Sequence, residues 1–232
     1  MSTVGFLINP LSGRIRNRMD TVRAAITTAS PRREVTDLAD IRSATRELIE
    51  SGSDVLAIIG GDGTVQAVLT ELMLSGQTWP EVAVIPGGTT NMTAIDLHGR
   101  LSVTQAISAT LRQSARASGE RARVQRPLVE VRLPQAQRQY GFCLSSGAVI
   151  AGMEHFQKNV RSRGLRDELS ASISVMRGFI GLARGERAWT EIADTEYRLA
   201  PDAAWRKDQA LLLATSLERL ILGFRPWWGT QP

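Results

Sequence analysis

The feature that most constrains the fold is a run of apolar residues that leads directly into a glycine-rich turn. Val55–Ile59 (Val-Leu-Ala-Ile-Ile) precedes Gly60–Thr64 (Gly-Gly-Asp-Gly-Thr), and Val65–Leu74 then shows helical spacing. A strand that is apolar throughout is typical of a parallel sheet buried on both faces. Parallel strands need long crossover connections, which usually contain a helix. This segment therefore predicts an α/β fold.

The first half of the chain repeats the same alternation of strand and helix. Further strands are predicted at Val4–Ile8, Glu34–Thr36 and Val82–Ile85. Helical spacing is found at Ile15–Thr28, Asp40–Glu50, Thr90–Leu97 and Ser102–Ser114, and Asp40 is a candidate N-cap. This order of elements predicts a parallel sheet with helices on both faces.

The pattern changes near Ala117–Glu120. Arg123–Leu133 and Gln139–Ser145 alternate like antiparallel strands, Arg161–Gly185 is helix-like, and strand character returns at Trp189–Leu199 and Gln209–Ser216. We therefore predict an α/β domain over residues 1–118. An antiparallel, β-rich second domain, resembling part of a β-sandwich, is predicted over residues 119–232.

Composition excludes several classes of protein. The 232 residues include one cysteine and two histidines, too few for a disulfide framework or a multi-cysteine zinc site. No apolar run is long enough to span a bilayer, and the N-terminus lacks the features of a secretion signal, so we expect a cytoplasmic protein. The net charge of +5, carried mostly by arginine, suits phosphates or anionic lipid, or is simply a solvated basic surface. Stacking aromatics are sparse, so nucleic-acid binding is not expected.

The glycine-rich turn carries the clearest chemical signal. Glycines at the carboxyl end of a parallel strand let the backbone approach a polyphosphate, and the next helix offers free N–H groups. Asp62 would repel bare phosphate, so its presence indicates Mg²⁺ coordination or proton abstraction from an attacking hydroxyl. The structural alternative is a tight turn in which Asp62 only caps the helix at Val65.

Two more polar, glycine-bearing loops follow predicted strands. Asn9–Arg14 follows the first strand and Pro86–Asn91 follows the fourth. Because the carboxyl ends of parallel strands lie at one edge of a sheet, we expect all three loops to form one pocket.

These three motifs together resemble the catalytic domain of the diacylglycerol kinase family, which includes bacterial lipid kinases, sphingosine kinases and ceramide kinases. The motifs are Asn-Pro-x-Ser-Gly at Asn9–Gly13, Gly-Gly-Asp-Gly-Thr at Gly60–Thr64 and Pro-x-Gly-Thr-x-Asn at Pro86–Asn91. Gly-Gly-Asp-Gly is shared with NAD kinases and phosphofructokinases, but the ordered trio favours the lipid branch. The resemblance is good from residue 4 to about residue 100 and loose beyond.

The resemblance implies a nucleotide-binding first domain and an ATP-dependent kinase that phosphorylates a lipid hydroxyl, with Mg²⁺ as cofactor. Carried over by position, Asp62 is the candidate catalytic residue. The candidate nucleotide-binding residues are Asn9, Ser12, Gly13, Thr36, Gly60, Gly61, Gly63, Thr64, Val65, Gln66, Gly88, Thr89 and Asn91. Among these, Thr36 and Thr89 match family threonines that touch the nucleotide, and Asn9 and Asn91 would brace the loops. No metal ligand is assigned.

The chain also departs from the family pattern. Asn91 is followed by Met92 where relatives usually have aspartate, and nothing after Leu211 resembles the Asp-Gly-Glu-type segment that supplies the family's presumed general base. The second domain is therefore expected to be incomplete. A silent nucleotide- or lipid-binding pseudokinase and a kinase for a soluble acceptor such as NAD stay open as alternatives. A lipid acceptor implies peripheral contact with the membrane surface.

Overall fold

The computed structural model describes residues 2–132, 135–147, 196, 198, 204–206, 211–220 and 225. The chain forms two compact units, one of Met1–Phe142 with Ser216–Pro232 and the other of Cys143–Thr215. The predicted domain boundary at residue 118 stays a prediction. The predicted helix at Arg161–Gly185 lies outside the described residues, as does nearly all of the predicted strand at Trp189–Leu199.

The first unit is built on a four-stranded parallel sheet in the order β2-β1-β3-β4. The strands are β1 (Val4–Ile8), β2 (Arg32–Glu34), β3 (Val55–Gly60) and β4 (Glu81–Pro86). The helices are α1 (Met19–Ala25), α2 (Leu38–Glu50), α3 (Asp62–Ser75), α4 (Met92–His98) and α5 (Val103–Ser114). The predicted α/β class with a parallel sheet is confirmed.

Alternation along the strands divides the core into two layers. Leu7, Leu56 and Ile58 pack on one face against α2 and α3, whereas Phe6 and Ile59 pack on the other face against α1 and α5. All five side chains are completely buried. Each contributes roughly 1.5–3 kcal/mol relative to an exposed side chain, and burial on both faces explains why the strands are apolar throughout.

Some local predictions differ from the structure. The strand predicted at Glu34–Thr36 is Arg32–Glu34, an exposed edge strand whose polar residues give no apolar signal. The first helix begins at Met19 and not at Ile15, because Ile15 belongs to the preceding loop and is itself buried in the core.

The predicted N-cap at Asp40 is also wrong. Asp37 is the N-cap of α2, and its side chain accepts the backbone N–H of Asp40 at 2.8 Å. An N-cap residue has extended backbone geometry, which Asp37 has and which a residue inside the first helical turn cannot adopt.

Short antiparallel pairs follow the parallel sheet, as predicted. In the first unit, β5 (Val129–Val131) pairs with β6 (Gln139–Gly141). In the second unit, β7 (Cys143–Gly147) pairs with β8 (Leu211–Thr215). Tyr140 of β6 is attached to α3, because its backbone N–H donates to the hydroxyl of Thr70 at 3.0 Å.

The chain leaves the first unit and re-enters it at adjacent points. The backbone N–H of Ser216 donates to the carbonyl of Phe142 at 3.0 Å, so these two residues lie side by side. The returning segment is then bound firmly. Leu217 is completely buried, Glu218 accepts a hydrogen bond from Arg126 at 2.7 Å, and the N–H of Arg219 donates to Asp96 at 2.7 Å.

Candidate active site

The strand order places a crevice at the carboxyl edge of the sheet. From β1 the chain moves to β2 on one side and later to β3 on the other, so the direction of winding reverses between β1 and β3. Open α/β sheets bind their ligands outside the carboxyl ends of the strands at such a switch point. Asn9 follows β1 and Gly61 follows β3, which puts the first two motif loops at this crevice.

A side-chain hydrogen bond joins those two loops. Nδ2 of Asn9 donates to Oγ1 of Thr64 at 2.9 Å, and Oδ1 of Asn9 accepts the backbone N–H of Leu11 at 3.0 Å. Thr64 is 7% exposed, so its hydroxyl has little access to water. Asn9 therefore connects the first and second motif loops directly, as expected for a residue that braces them.

Backbone hydrogen bonds join the third loop to the other two. The N–H groups of Gly87 and Gly88 both donate to the carbonyl of Gly60, at 2.8 and 3.1 Å. The N–H of Arg14 donates to the carbonyl of Gly87 at 3.0 Å. The three loops therefore form one connected structure. The contact of Arg14 with Gly87 was not predicted from the motifs.

Close backbone approach explains the glycines of the third loop. A Cβ on Gly88 would lie 2.5 Å from Cα of Gly61, and a Cβ on Gly87 would lie 2.9 Å from the nitrogen of Gly60. Real Cβ atoms do not come this close to backbone, so any other residue would force the loops apart. Gly63 differs, because a Cβ there would meet nothing within 4 Å. Neither packing nor a left-handed φ accounts for that glycine.

Asn91 fixes the shape of the third loop. Its side chain is bonded to both backbone groups of one residue, since Oδ1 accepts the N–H of Gly88 at 2.7 Å and Nδ2 donates to its carbonyl at 2.6 Å. Asn91 has a φ of 52°, in the left-handed region that asparagine tolerates better than most residues. It is 2% exposed and acts inside the loop.

Asp62 lies in the first turn of α3 and binds a different helix. Its carboxylate accepts the N–H of Met92 at 3.0 Å and the N–H of Thr93 at 2.9 Å, so it caps the N-terminus of α4. The N-cap of α3 is Gly61, which supplies no side-chain hydrogen bond. The N–H of Thr64 donates to the carbonyl of Gly61 at 2.9 Å, which leaves the N–H groups of Asp62 and Gly63 and the positive dipole end of α3 for an anion.

Other predicted site residues lie farther from these contacts. Val65 is 2% exposed and belongs to the core, and Gln66 donates to Thr70 and to Gln139 of β6. Thr36 follows β2 at the same sheet edge, is exposed, and donates its hydroxyl to Asp40 at 3.1 Å. The structure therefore brings together the residues of the three loops, whereas Val65 and Gln66 serve packing and attachment of β6.

Ser12, Gly13 and Thr89 complete the set. The N–H of Ser12 donates to the carbonyl of Asn9 at 3.0 Å, which closes a turn in the first loop. A Cβ on Gly13 would lie 2.8 Å from Oγ1 of Thr89, so the first and third loops also meet here.

The donors present fit a magnesium ion shared with a substrate. No group of three or more histidine, cysteine, aspartate or glutamate side chains within the described residues could hold a metal by itself. Asp62 is the single carboxylate in the three motif loops. Magnesium is usually held by one or two carboxylates together with substrate phosphates and water. Asp62 supplies one such carboxylate beside the proposed phosphate position.

Comparison with known proteins agrees with this geometry. Residues 3–119 match the family described as the diacylglycerol kinase catalytic domain. No curated protein matches the chain.

Two solved structures, both of proteins from Bacillus anthracis str. Sterne assigned as diacylglycerol kinases, have the same fold. Their TM-scores are 0.57 and 0.58, with 17% sequence identity in each case. Both alignments cover 94% of this chain, but the chain spans only 66% and 68% of the length of the two structures. The matched family covers all three motif loops and the sheet that positions them, and the chain therefore belongs to the diacylglycerol kinase catalytic domain family.

Proposed function

We propose that the chain is an ATP-dependent lipid kinase, which transfers the γ-phosphoryl group of ATP to the hydroxyl of a diacylglycerol-like or sphingoid lipid. The observation that supports this most is the joining of three glycine-bearing loops at the switch point of the sheet. Asn9 bonded to Thr64 and Gly88 packed on Gly61 hold these loops as one rigid edge. Phosphoryl transfer depends mainly on positioning and charge compensation, for which such an edge is suited.

The triphosphate binds at the start of α3. The N–H groups of Asp62 and Gly63, in the first turn of α3, and the positive end of the helix dipole attract phosphate oxygens. Gly63 has no Cβ in the open space where those oxygens approach the backbone. Its lack of a side chain is then explained by the ligand, since packing does not require it.

Asp62 has two tasks in this proposal. Its carboxylate positions α4 through the N–H groups of Met92 and Thr93. The lone pairs that these two N–H groups leave free would be available to a metal ion. Mg²⁺, when bound with the nucleotide, offsets the negative charge of the phosphates. Because both oxygens of Asp62 already accept N–H groups, we favour the metal-holding role over the role of general base.

The reaction needs little further protein chemistry. The lipid hydroxyl oxygen forms a bond to the γ-phosphorus, the bond from that phosphorus to the oxygen bridging to the β-phosphate breaks, and the hydroxyl proton is released. General-base help is typically worth ~10²–10⁴-fold, so transfer that relies on positioning and charge compensation alone would be slower and still measurable.

Phosphate transfer tests the proposal directly. Purified chain is incubated with radiolabelled ATP and Mg²⁺, together with diacylglycerol, a sphingoid base or NAD in separate reactions. Label on either lipid is the expected result. Label on NAD alone would select the soluble-acceptor kinase, and ATP binding without any transfer would select the silent module.

A lipid acceptor requires that the enzyme visit a bilayer. None of the helices in the described part of the chain combines the length and the apolar content needed to cross a membrane. We propose a peripheral contact, made through surface charge and exposed apolar side chains.

A further inference from the structure

The loop between β1 and α1 carries an unusual combination of exposed side chains. Leu11 is 54% exposed, and Arg14, Arg16 and Arg18 are all exposed as well. Ser2–Met19 contains no aspartate or glutamate, so the charge of this stretch is entirely positive. We call Leu11, Arg14, Arg16 and Arg18 the β1–α1 surface.

The backbone of this loop is held rigidly. Ile15 is completely buried in the core, so the arginines on either side of it are held at the protein surface. The N–H of Arg16 donates to the carbonyl of Ser12 at 3.0 Å, and the N–H of Arg18 donates to the carbonyl of Ile15 at 2.8 Å. A surface that is already ordered loses little conformational entropy when it binds a partner.

Two arginines of this surface, Arg16 and Arg18, take part in none of the ion pairs found within the described ranges of the chain. The nearest carboxylate in the sequence, that of Asp20, pairs with Arg23 on α1 at 3.4 Å. The surface therefore keeps a local positive charge beside an exposed leucine.

We propose that the β1–α1 surface docks on anionic lipid membranes, with Leu11 entering the interface and the arginines contacting headgroup phosphates. Positive charge complements an anionic bilayer, arginine suits phosphate oxygens, and one exposed apolar side chain adds burial at the headgroup level. The surface lies at the carboxyl edge of the sheet, where the three motif loops lie. This inference rests on the proposed function in one respect, because a lipid substrate is the reason for the enzyme to visit a bilayer.

The opposite edge of the sheet offers matched controls. The N–H of Ser2 donates to the carbonyl of Ser114 at 3.3 Å, which places the end of α5 at the amino edge. Arg112 and Arg116 lie at this end and are exposed. Leu74, 38% exposed near the end of α3, is an apolar control.

The test is flotation of the full chain with phosphatidylglycerol–phosphatidylcholine vesicles in the absence of ATP. Each basic residue near an anionic surface changes partitioning about fivefold, so Arg16→Ala with Arg18→Ala should weaken binding about 25-fold at low salt. Arg112→Ala with Arg116→Ala should weaken it less than about threefold. Leu11→Ser should weaken binding about tenfold, and Leu74→Ser should not. Equal losses in the two arginine pairs, or none, would overturn the proposal.

Two further measurements separate this inference from the kinase proposal and from nucleotide binding. Transfer to a short-chain, water-soluble diacylglycerol, without vesicles, should be unchanged in the Arg16/Arg18 double variant. No transfer by any form of the chain, combined with the expected vesicle results, overturns the kinase proposal and leaves the docking surface standing. If calorimetry shows that the double variant binds ATP more weakly, these arginines serve the nucleotide and the docking proposal is overturned.

Discussion

The carboxylate of Asp62 holds the N-terminus of α4 through Thr93, whose backbone N–H donates to Oδ1 at 2.9 Å. The second oxygen accepts the N–H of Met92 at 3.0 Å. A residue of the central motif loop therefore determines where the helix of the next loop begins. Any change at Asp62 therefore acts on this helix as well as on the proposed phosphate chemistry.

Asp62→Asn should lower phosphoryl transfer at least a hundredfold, because it removes the negative charge that the proposed binding of Mg²⁺ needs. It should also lower the free energy of unfolding by about 1–3 kcal/mol, because the new NH₂ group faces a backbone N–H of α4. Transfer assays below the melting temperature, together with denaturant unfolding, check both effects. If Asp62→Asn retains its transfer activity, the role proposed for Asp62 in phosphoryl transfer is wrong.

Ser102→Ala is the matched control for this loss of stability. Ser102 caps α5 with a reciprocal capping box that includes Gln105, away from the motif loops. Loss of such a cap costs about 1 kcal/mol. We expect a comparable destabilisation with full transfer activity, which would separate the two effects of Asp62→Asn.

Gly63 and Gly88 should respond to substitution in opposite ways. Gly63→Val should abolish ATP binding measured by calorimetry while the melting temperature changes little, because the new side chain enters open space. Gly119→Val is its control, since a Cβ there also meets nothing within 4 Å. Gly88→Ala should cost about 1–3 kcal/mol of stability, because a Cβ would lie 2.5 Å from Cα of Gly61. Unchanged ATP affinity in Gly63→Val would make this loop a structural turn.

The bond between Asn9 and Thr64 should appear as an energetic coupling. Asn9→Ala, Thr64→Val and the double variant form a cycle whose interaction free energy we expect to be about 0.5–2 kcal/mol. Thr64→Val preserves the shape of a nearly buried side chain and removes only the acceptor that Asn9 uses. Additive losses in denaturant unfolding would mean that the two loops are joined by other contacts.

Acid should weaken the attachment of β2. Hydrogen bonding and charge attraction from Arg23 lower the pKa of Glu34 below its ordinary value. A group whose pKa is lowered by folding stabilises the protein above its unfolded pKa of about 4.3, and this contribution is lost as the pH falls through the lowered value. The melting temperature of Glu34→Gln should therefore fall less than that of the unchanged protein when the pH is lowered from about 5 to about 3. In this range a carboxyl group with a lowered pKa becomes protonated. An unchanged acid profile in the variant would contradict the assignment.

Local patterns predicted the sheet well because its strands are buried on both faces. Val55–Gly60 is apolar throughout for that reason, and the loops after β1, β3 and β4 had to meet at one edge once the strands were parallel. The polar edge strand Arg32–Glu34 was predicted two residues too late, since it faces solvent and leaves no apolar signature.

The partner of Asp62 could not be predicted from local sequence. Its contact with Thr93 spans 31 residues and depends on the close approach of Gly61 to Gly88. The burial of Val65 and the attachment of Gln66 to β6 likewise depend on how α3 packs. Val65 and Gln66 were included among the site residues because they follow the motif in the sequence. The order of residues does not show in which direction their side chains point.

The backbone hydrogen bond between Phe142 and Ser216 has a consequence for biosynthesis. The first unit needs Leu217, completely buried, and Glu218, paired with Arg126, to be complete. Both residues leave the ribosome after all of Cys143–Thr215. The α/β sheet can form early, since its four strands end by Pro86, but the last pieces of its own unit arrive only when the intervening unit has been synthesised. A nascent chain stalled before residue 216 would therefore keep Arg126 without Glu218 and expose the site that Leu217 fills.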